Sequence, residues 1–125
     1  MSNLTRKEAL RAIINNENPI QGKLFGSDGA CDPLGAIIIA NGDKEKAREY
    51  IKNNPIAALN MIGSANPTEN LLRIYSDGGE TYCGLNELEI DVLLLLNDLR
   101  SPTTAKKMAE HWLLQITRNE LLQGE

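Results

Sequence analysis

The choice between a helical and a mixed fold rests on the stretch CDPLGAIIIANG, residues 31–42. Its β-branched run and its closing Asn41-Gly42 pair would suit a buried strand that ends in a turn. Asp32-Pro33 favours a helix start instead. The Asp side chain can accept hydrogen bonds from free N–H groups of the first turn, and proline at the first helical position loses none. The flanking alanines agree, so we predict a helix that Gly42 ends.

The same start signal recurs along the chain, because all five prolines follow Asn, Asp or Ser. Thr5 and Asn86 add capping-box spacing, with a glutamate three residues later in each case. The main predicted helices cover residues 6–16, 33–41, 44–53, 87–99 and 102–123, with two short ones at 55–62 and 67–76. We therefore expect one all-α domain, residues 1–125, of about six short-to-medium helices, with at most a minimal β-pair between 23–25 and 81–83.

Composition indicates an aliphatic core. The chain has 125 residues, of which 42% are hydrophobic but only 4% aromatic. This length and hydrophobic content are ordinary for one folded domain. The sequence of residues 87–99, ELEIDVLLLLNDL, has a middle that is apolar on all sides. We predict that it is the central core helix.

Net charge and terminal sequence limit the classes of function. The formal charge is −4 and the pI about 5.0, which argues against broad, charge-driven binding to nucleic acid or membrane. Charged residues at positions 6–8 stand where a signal peptide needs an apolar stretch. We expect a cytoplasmic protein with reduced thiols.

Two similar loops, SDGACDPLG at residues 27–35 and SDGGETYCG at 76–84, carry the two cysteines of the chain. Their spacing does not fit a calcium loop, and two cysteines with one histidine fall short of a typical structural zinc site. Ser-Asp-Gly is ordinary turn chemistry, and two buried thiols are the simplest interpretation of the cysteines. The candidate binding residues in these loops are Asp28, Cys31, Asp32, Asp77 and Cys83.

No catalytic constellation, phosphate-binding loop or metal motif is recognisable, so we expect no cofactor. The leading hypothesis is a non-enzymatic cytosolic module that binds another protein, or a second copy of the chain, and has a regulatory role. Loops 20–31 and 77–85 are the expected recognition surface, because loops on a rigid scaffold commonly carry function.

Two alternatives remain open at the level of sequence. Residues 87–122 can be interpreted as a winged-helix-like DNA-binding segment, with a second helix at 102–111 and a recognition helix near 117–122. Lys106, Lys107 and Arg118 would then contact phosphates. A continuous apolar stripe from Ala105 to Ile116 favours one longer helix. The other alternative is a thiol-dependent enzyme or ligand pocket at the two cysteine loops.

Part of the chain resembles a family of small bacterial proteins of unknown function. The matching residues are Gln21-Gly22, Asp28-Gly29, Cys31, Leu34-Gly35-Ala36, Asn97-Asp98 and Thr103 or Thr104. The similarity covers residues 20–42 and 92–114, and it departs at Asp32-Pro33, which adds a residue after Cys31, and at Leu96, where an aromatic is usual.

The resemblance supplies no activity, but it implies a geometry. It implies that residues 31–36 lie near Asn97-Asp98, and that one of this polar pair binds backbone N–H groups of the glycine loop. It adds Asn97 and Asp98 to the candidate binding residues. A structural role for this pair agrees with its position after four leucines, since a buried polar pair needs partners.

Overall fold

The computed structural model describes residues 4–22, 25–27, 29–42, 44–53, 85 and 87–124. These residues are mostly helical, which is consistent with the predicted all-α class. The helices are α1 (Arg6–Ile14), α2 (Pro33–Ala40), α3 (Lys44–Asn53), α4 (Glu87–Leu99) and α5 (Pro102–Gln123). Within this described part, β pairing is limited to single bridges that join Cys31 to Pro19 and to Phe25.

The predicted caps fix where α1, α2 and α5 begin. Thr5 and Glu8 form a reciprocal capping box at the start of α1. Asp32 and Ser101 accept hydrogen bonds from first-turn N–H groups of α2 and α5, each of which has proline in its first turn. Residues 33–40 are therefore helical, as predicted, because these local hydrogen bonds outweigh the β propensity of the isoleucines.

Four helices form a ring around the core. α1 packs against α2 and α5, and α4 packs against the same two helices, while α3 packs on α2. The shared core is aliphatic, and it consists of Ala9, Leu10, Ile13, Leu34, Ile37, Ile38, Leu85, Ile90, Leu93, Leu94 and Ala109. Trp112 and Phe25 are only partly buried at its edge.

The most enclosed of these helices is α2 and not α4. Every residue from Pro33 to Ile38 is buried. By contrast, α4 turns Ile90, Leu93, Leu94 and Asn97 to the core and exposes leucines on its opposite side. The prediction that residues 87–99 form the central core helix is therefore not confirmed. A run of leucines covers all sides of a helix, but contacts with α2 and α5 reach only some of them.

A long-range ion pair joins α1 to α4. The Arg6 guanidinium donates to both carboxylate oxygens of Glu89, 83 residues further along. The same guanidinium lies 5.9 Å from the centre of the Trp112 ring, within the range of a cation–π interaction. Arg6 therefore ties α1 to both α4 and α5.

Several predictions concern residues outside the described ranges. These are the short helices at 55–62 and 67–76, the strand at 81–83, and loop 77–85 except Leu85, which is buried in the core. The figure of about six helices accordingly stays a prediction. Among the helices that the structure describes, none is long and apolar enough to span a membrane.

Candidate functional site

The loop between α1 and α2 is held in place through the backbone of Cys31. The Cys31 N–H donates to Asn18 O at 3.1 Å, and its carbonyl oxygen accepts from Ile20 N and from Asn16 Nδ2. Just before Cys31, the chain turns back on itself and Gly26 N donates to Ala30 O at 2.7 Å. These bonds pair backbone groups of the loop that no helix or strand ladder satisfies.

The end of α4 binds residues 20–22 of this loop. Asn97 is buried, and its Nδ2 donates to Ile20 O at 2.7 Å and to Asp98 Oδ1 at 3.0 Å. Asp98 Oδ1 also accepts from Gly22 N at 3.0 Å, and Gln21 Nε2 donates to Asn97 O at 2.7 Å. We call this network, which links residues 20–22 to Asn97 and Asp98, the polar clamp.

The polar clamp bears out the geometry that the family resemblance implied. A backbone N–H of the glycine loop does bind Asp98. Pro33, in the Cys31–Ala36 segment, lines the same cavity as Asn97. The contribution of Gln21 was not anticipated. Its partner is a main-chain carbonyl 76 residues away, and no local sequence signal predicts such a contact.

Asp32 serves the start of α2. Its carboxylate is fully buried, and its Oδ1 accepts from Gly35 N at 2.7 Å. A carboxylate at this position also lies at the positive end of the helix dipole. The Asp32-Pro33 pair, which departs from the family pattern, thus supplies the cap and the first residue of α2.

The Cys31 thiol is buried beside this carboxylate. Burial, together with the negative charge of Asp32, raises the pKa of Cys31 to about 11. The thiolate is the nucleophilic form of cysteine. Cys31 is therefore suited to packing and poorly suited to nucleophilic chemistry near neutral pH. Asp28, Asp77 and Cys83 lie outside the described residues.

Lys106, one of the candidate phosphate contacts, is engaged inside the molecule. Its Nζ donates to Asn16 O, the carbonyl just beyond α1. Lys107 and Arg118 are exposed. The two-helix interpretation of residues 102–122 is wrong, because α5 is one helix from Pro102 to Gln123. No glycine or proline interrupts its apolar stripe, so nothing ends the helix at residue 111.

A small cavity lies between the loop and α5. Its volume is about 10 Å³, which is room for about one water molecule. Its lining consists of Ile13, Asn16, Pro19, Pro33, Asn97, Pro102, Ala105 and Lys106. Ligand sites usually enclose about 300–1,000 Å³, so this cavity is too small for a typical organic ligand.

Neither metal-binding groups nor known relatives point to a chemistry. In the described ranges, no group of three or more His, Cys, Asp or Glu residues could hold a metal ion. Comparison of the chain with protein-family models, curated proteins and solved structures found no match. The function is therefore argued from the chain's own residues.

The reactivity of Cys31 gives a first testable prediction. In a Cys83→Ser background at pH 8, we expect Cys31 to react with a maleimide about 100-fold more slowly in the folded chain than in urea. The reason is the scarcity of thiolate when the pKa is about 11.

The same raised pKa affects stability. As the pH rises, the Cys31 thiol deprotonates at a lower pH in the unfolded chain than in the folded chain. The contribution of Cys31 to stability is thus present below the unfolded pKa and is lost as pH rises towards the folded value.

The measurement is the labelling rate followed by mass spectrometry between pH 7 and pH 10. A folded rate that rises about tenfold per pH unit would agree with the raised pKa. Equal rates for the folded and unfolded chains at pH 8 would contradict it, and would restore Cys31 as a candidate nucleophile.

Proposed function

We propose that this chain is a non-enzymatic, cytosolic protein-binding module. Several of the predicted site residues form hydrogen bonds within the chain that hold its fold together. Asn97 and Asp98 hold the loop, and Asp32 caps α2. The raised pKa of Cys31 weighs against a thiol-dependent reaction at that residue. These assignments leave the surface as the part of the described chain best suited to a function.

The observation that carries the proposal is a row of exposed leucines on α4. Leu88, Leu95 and Leu99 are 72%, 41% and 59% exposed. Their spacing of seven and then four residues puts them on one side of the helix. We call these three residues the outer face of α4. Several large apolar side chains on one helix face are typical of a surface that another protein covers.

The clamped loop extends this surface at one end. Leu99 follows Asp98 in the chain, and Asp98 binds the backbone of Gly22. Gln21, which is exposed, is fixed to the carbonyl of Asn97. Residues held in place beside an apolar stripe can contribute oriented polar contacts without a large ordering cost. Residues 20–22 of loop 20–31 are therefore part of the proposed recognition surface.

The test compares proteins retained by matched variants. Native mass spectrometry of the chain purified gently from its own cells should show a partner protein at a defined stoichiometry. Leu88→Asp and Leu95→Asp together should reduce the retained partner at least about tenfold, because two of the three apolar contacts become charged. Lys52→Asp, at an exposed position on α3, is the control and should retain the partner.

The outcomes separate the main hypotheses. Equal retention by the leucine variant and the wild type would contradict the role of α4. A small molecule or metal ion carried by the chain in place of a protein would favour the ligand-pocket alternative. Circular dichroism of each variant establishes that the fold is intact, which is expected because these side chains face solvent.

The DNA-binding alternative would now depend on fewer residues. Lys107 and Arg118 remain exposed on α5, whereas Lys106 has a partner in Asn16 O. Their side of the helix also carries Glu110 and exposed leucines, and a carboxylate beside phosphate is unfavourable. A protein partner suits this mixed surface better than a nucleic acid.

A further inference from the structure

The outward side of α5 carries a second apolar stripe with its own charge pattern. Leu114 and Leu121 are 66% and 70% exposed, and they are seven residues apart on one side of the helix. Every residue from Thr117 to Gln123 is exposed. The last two turns of α5 thus extend beyond the core. A helical end with so little burial gains little from tertiary packing in its own chain.

Two opposite charges flank the centre of this stripe symmetrically. Glu110 precedes Leu114 by four residues and Arg118 follows it by four, and both side chains are exposed. Neither forms a hydrogen bond or an ion pair with any part of the chain that the structure describes. They are about 12 Å apart along the helix axis, too far to pair with each other.

We propose that this side of α5 binds the same side of α5 in a second copy of the chain, antiparallel and related by a two-fold axis near Leu114. In that arrangement Leu114 meets its own copy, and Glu110 of each chain lies opposite Arg118 of the other. Lys107 lies opposite Leu121, where its methylene groups can cover the leucine while the ammonium reaches water. A two-fold contact repeats each interaction twice.

The charge pattern selects the antiparallel arrangement. A parallel pair in register would put Glu110 beside Glu110 and Arg118 beside Arg118, and like charges across an interface oppose association. The antiparallel pair replaces both repulsions with attractions. The contact is formed by one helix from each chain, smaller than a standard interface of about 800 Å² per partner. We therefore expect a reversible dimer whose population depends on concentration and falls with added salt.

Charge reversal and its repair test the proposal. Sedimentation equilibrium across a range of concentrations should show wild-type protein shifting from 13.8 kDa towards twice that mass. Glu110→Arg alone and Arg118→Glu alone should each weaken the dimer about tenfold or more, since each change turns two attractions into repulsions. The double variant Glu110→Arg/Arg118→Glu restores opposite charges and should return to within about threefold of wild type.

The control is Leu88→Asp on α4, which should leave the dimer intact. This control also distinguishes the two proposals. A chain that forms no α5 dimer could still bind the partner proposed for α4. A wild-type chain that stays monomeric at every concentration would overturn the proposal. So would a dimer that the single charge reversals leave unchanged, or a double variant no stronger than the single ones. All substituted side chains face solvent, and circular dichroism should show unchanged helix content.

Discussion

Substitution of Asn97 by aspartate is expected to lower the free energy of unfolding by about 3 kcal/mol at pH 7. The Nδ2 group of Asn97 donates to two oxygens, Ile20 O and Asp98 Oδ1. Aspartate has nearly the same shape but would turn a carboxylate oxygen towards both of them. The site is buried, so water cannot replace the lost donors at little cost.

The loss should depend on pH in a defined direction. The aspartate at position 97 would have a raised pKa in the folded state, because its charged form is buried beside other oxygens. Protonation restores one donor. The stability of the variant should therefore approach that of the wild type as the pH falls through this raised pKa, and the deficit should be full above it. Urea unfolding at pH 7 and pH 4 measures both values.

Two further substitutions that exchange an amide and a carboxylate serve as controls. Asp98→Asn keeps an acceptor for Gly22 N and should cost less than about 1 kcal/mol. Asn119→Asp puts the same new charge on an exposed part of α5 and should change stability by less than about 0.5 kcal/mol. A loss at Asn97→Asp no larger than that at Asn119→Asp would contradict the importance of the polar clamp.

Replacement of Ile37 by alanine is expected to cost about 3 kcal/mol, within the usual range for truncation of a buried isoleucine. Ile37 is fully buried at the centre of α2. Because α2 contacts α1, α3 and α4, the surrounding side chains cannot all move to fill the space. The cavity therefore adds to the lost burial of the side chain.

Ile39→Ala provides a matched control on the same helix. Ile39 is exposed, so its truncation should cost less than about 1 kcal/mol. Thermal or urea unfolding of the two variants gives the comparison. Similar losses at both positions would contradict the burial of α2, whereas a large loss at Ile37 alone would agree with it.

The beginnings of several helices were predictable because the signals that place them are local. Asp32-Pro33 and Ser101-Pro102 supply an acceptor and a proline within one turn of the helix that they start. Gly42 ends α2 with a φ of +81°, a backbone conformation in which glycine has no Cβ penalty. The same local signal was insufficient at Asn18-Pro19, where Pro19 bridges to Cys31 and the described residues 19–22 are not helical.

The candidate site was predictable in part. Asn97 and Asp98 were expected to bind the glycine loop, and they do so at Ile20 and Gly22. The polar pair after four leucines signalled that partners were needed, but it did not say which residues would supply them. Gln21, whose partner is the backbone of α4, shows this limit, since its sequence neighbours do not predict a contact so distant in the chain.

The sequence by itself thus determined the helical class of the described segments, the residues at which α1, α2 and α5 begin, and the aliphatic nature of the core. Only the tertiary structure decided that α2 is enclosed while α4 exposes three leucines, that Arg6 joins Glu89, and that α5 continues unbroken with an exposed apolar side. The physical reason is one of range. Caps and propensities act within a turn of helix, whereas the side of an apolar helix that becomes buried depends on which distant helices pack against it.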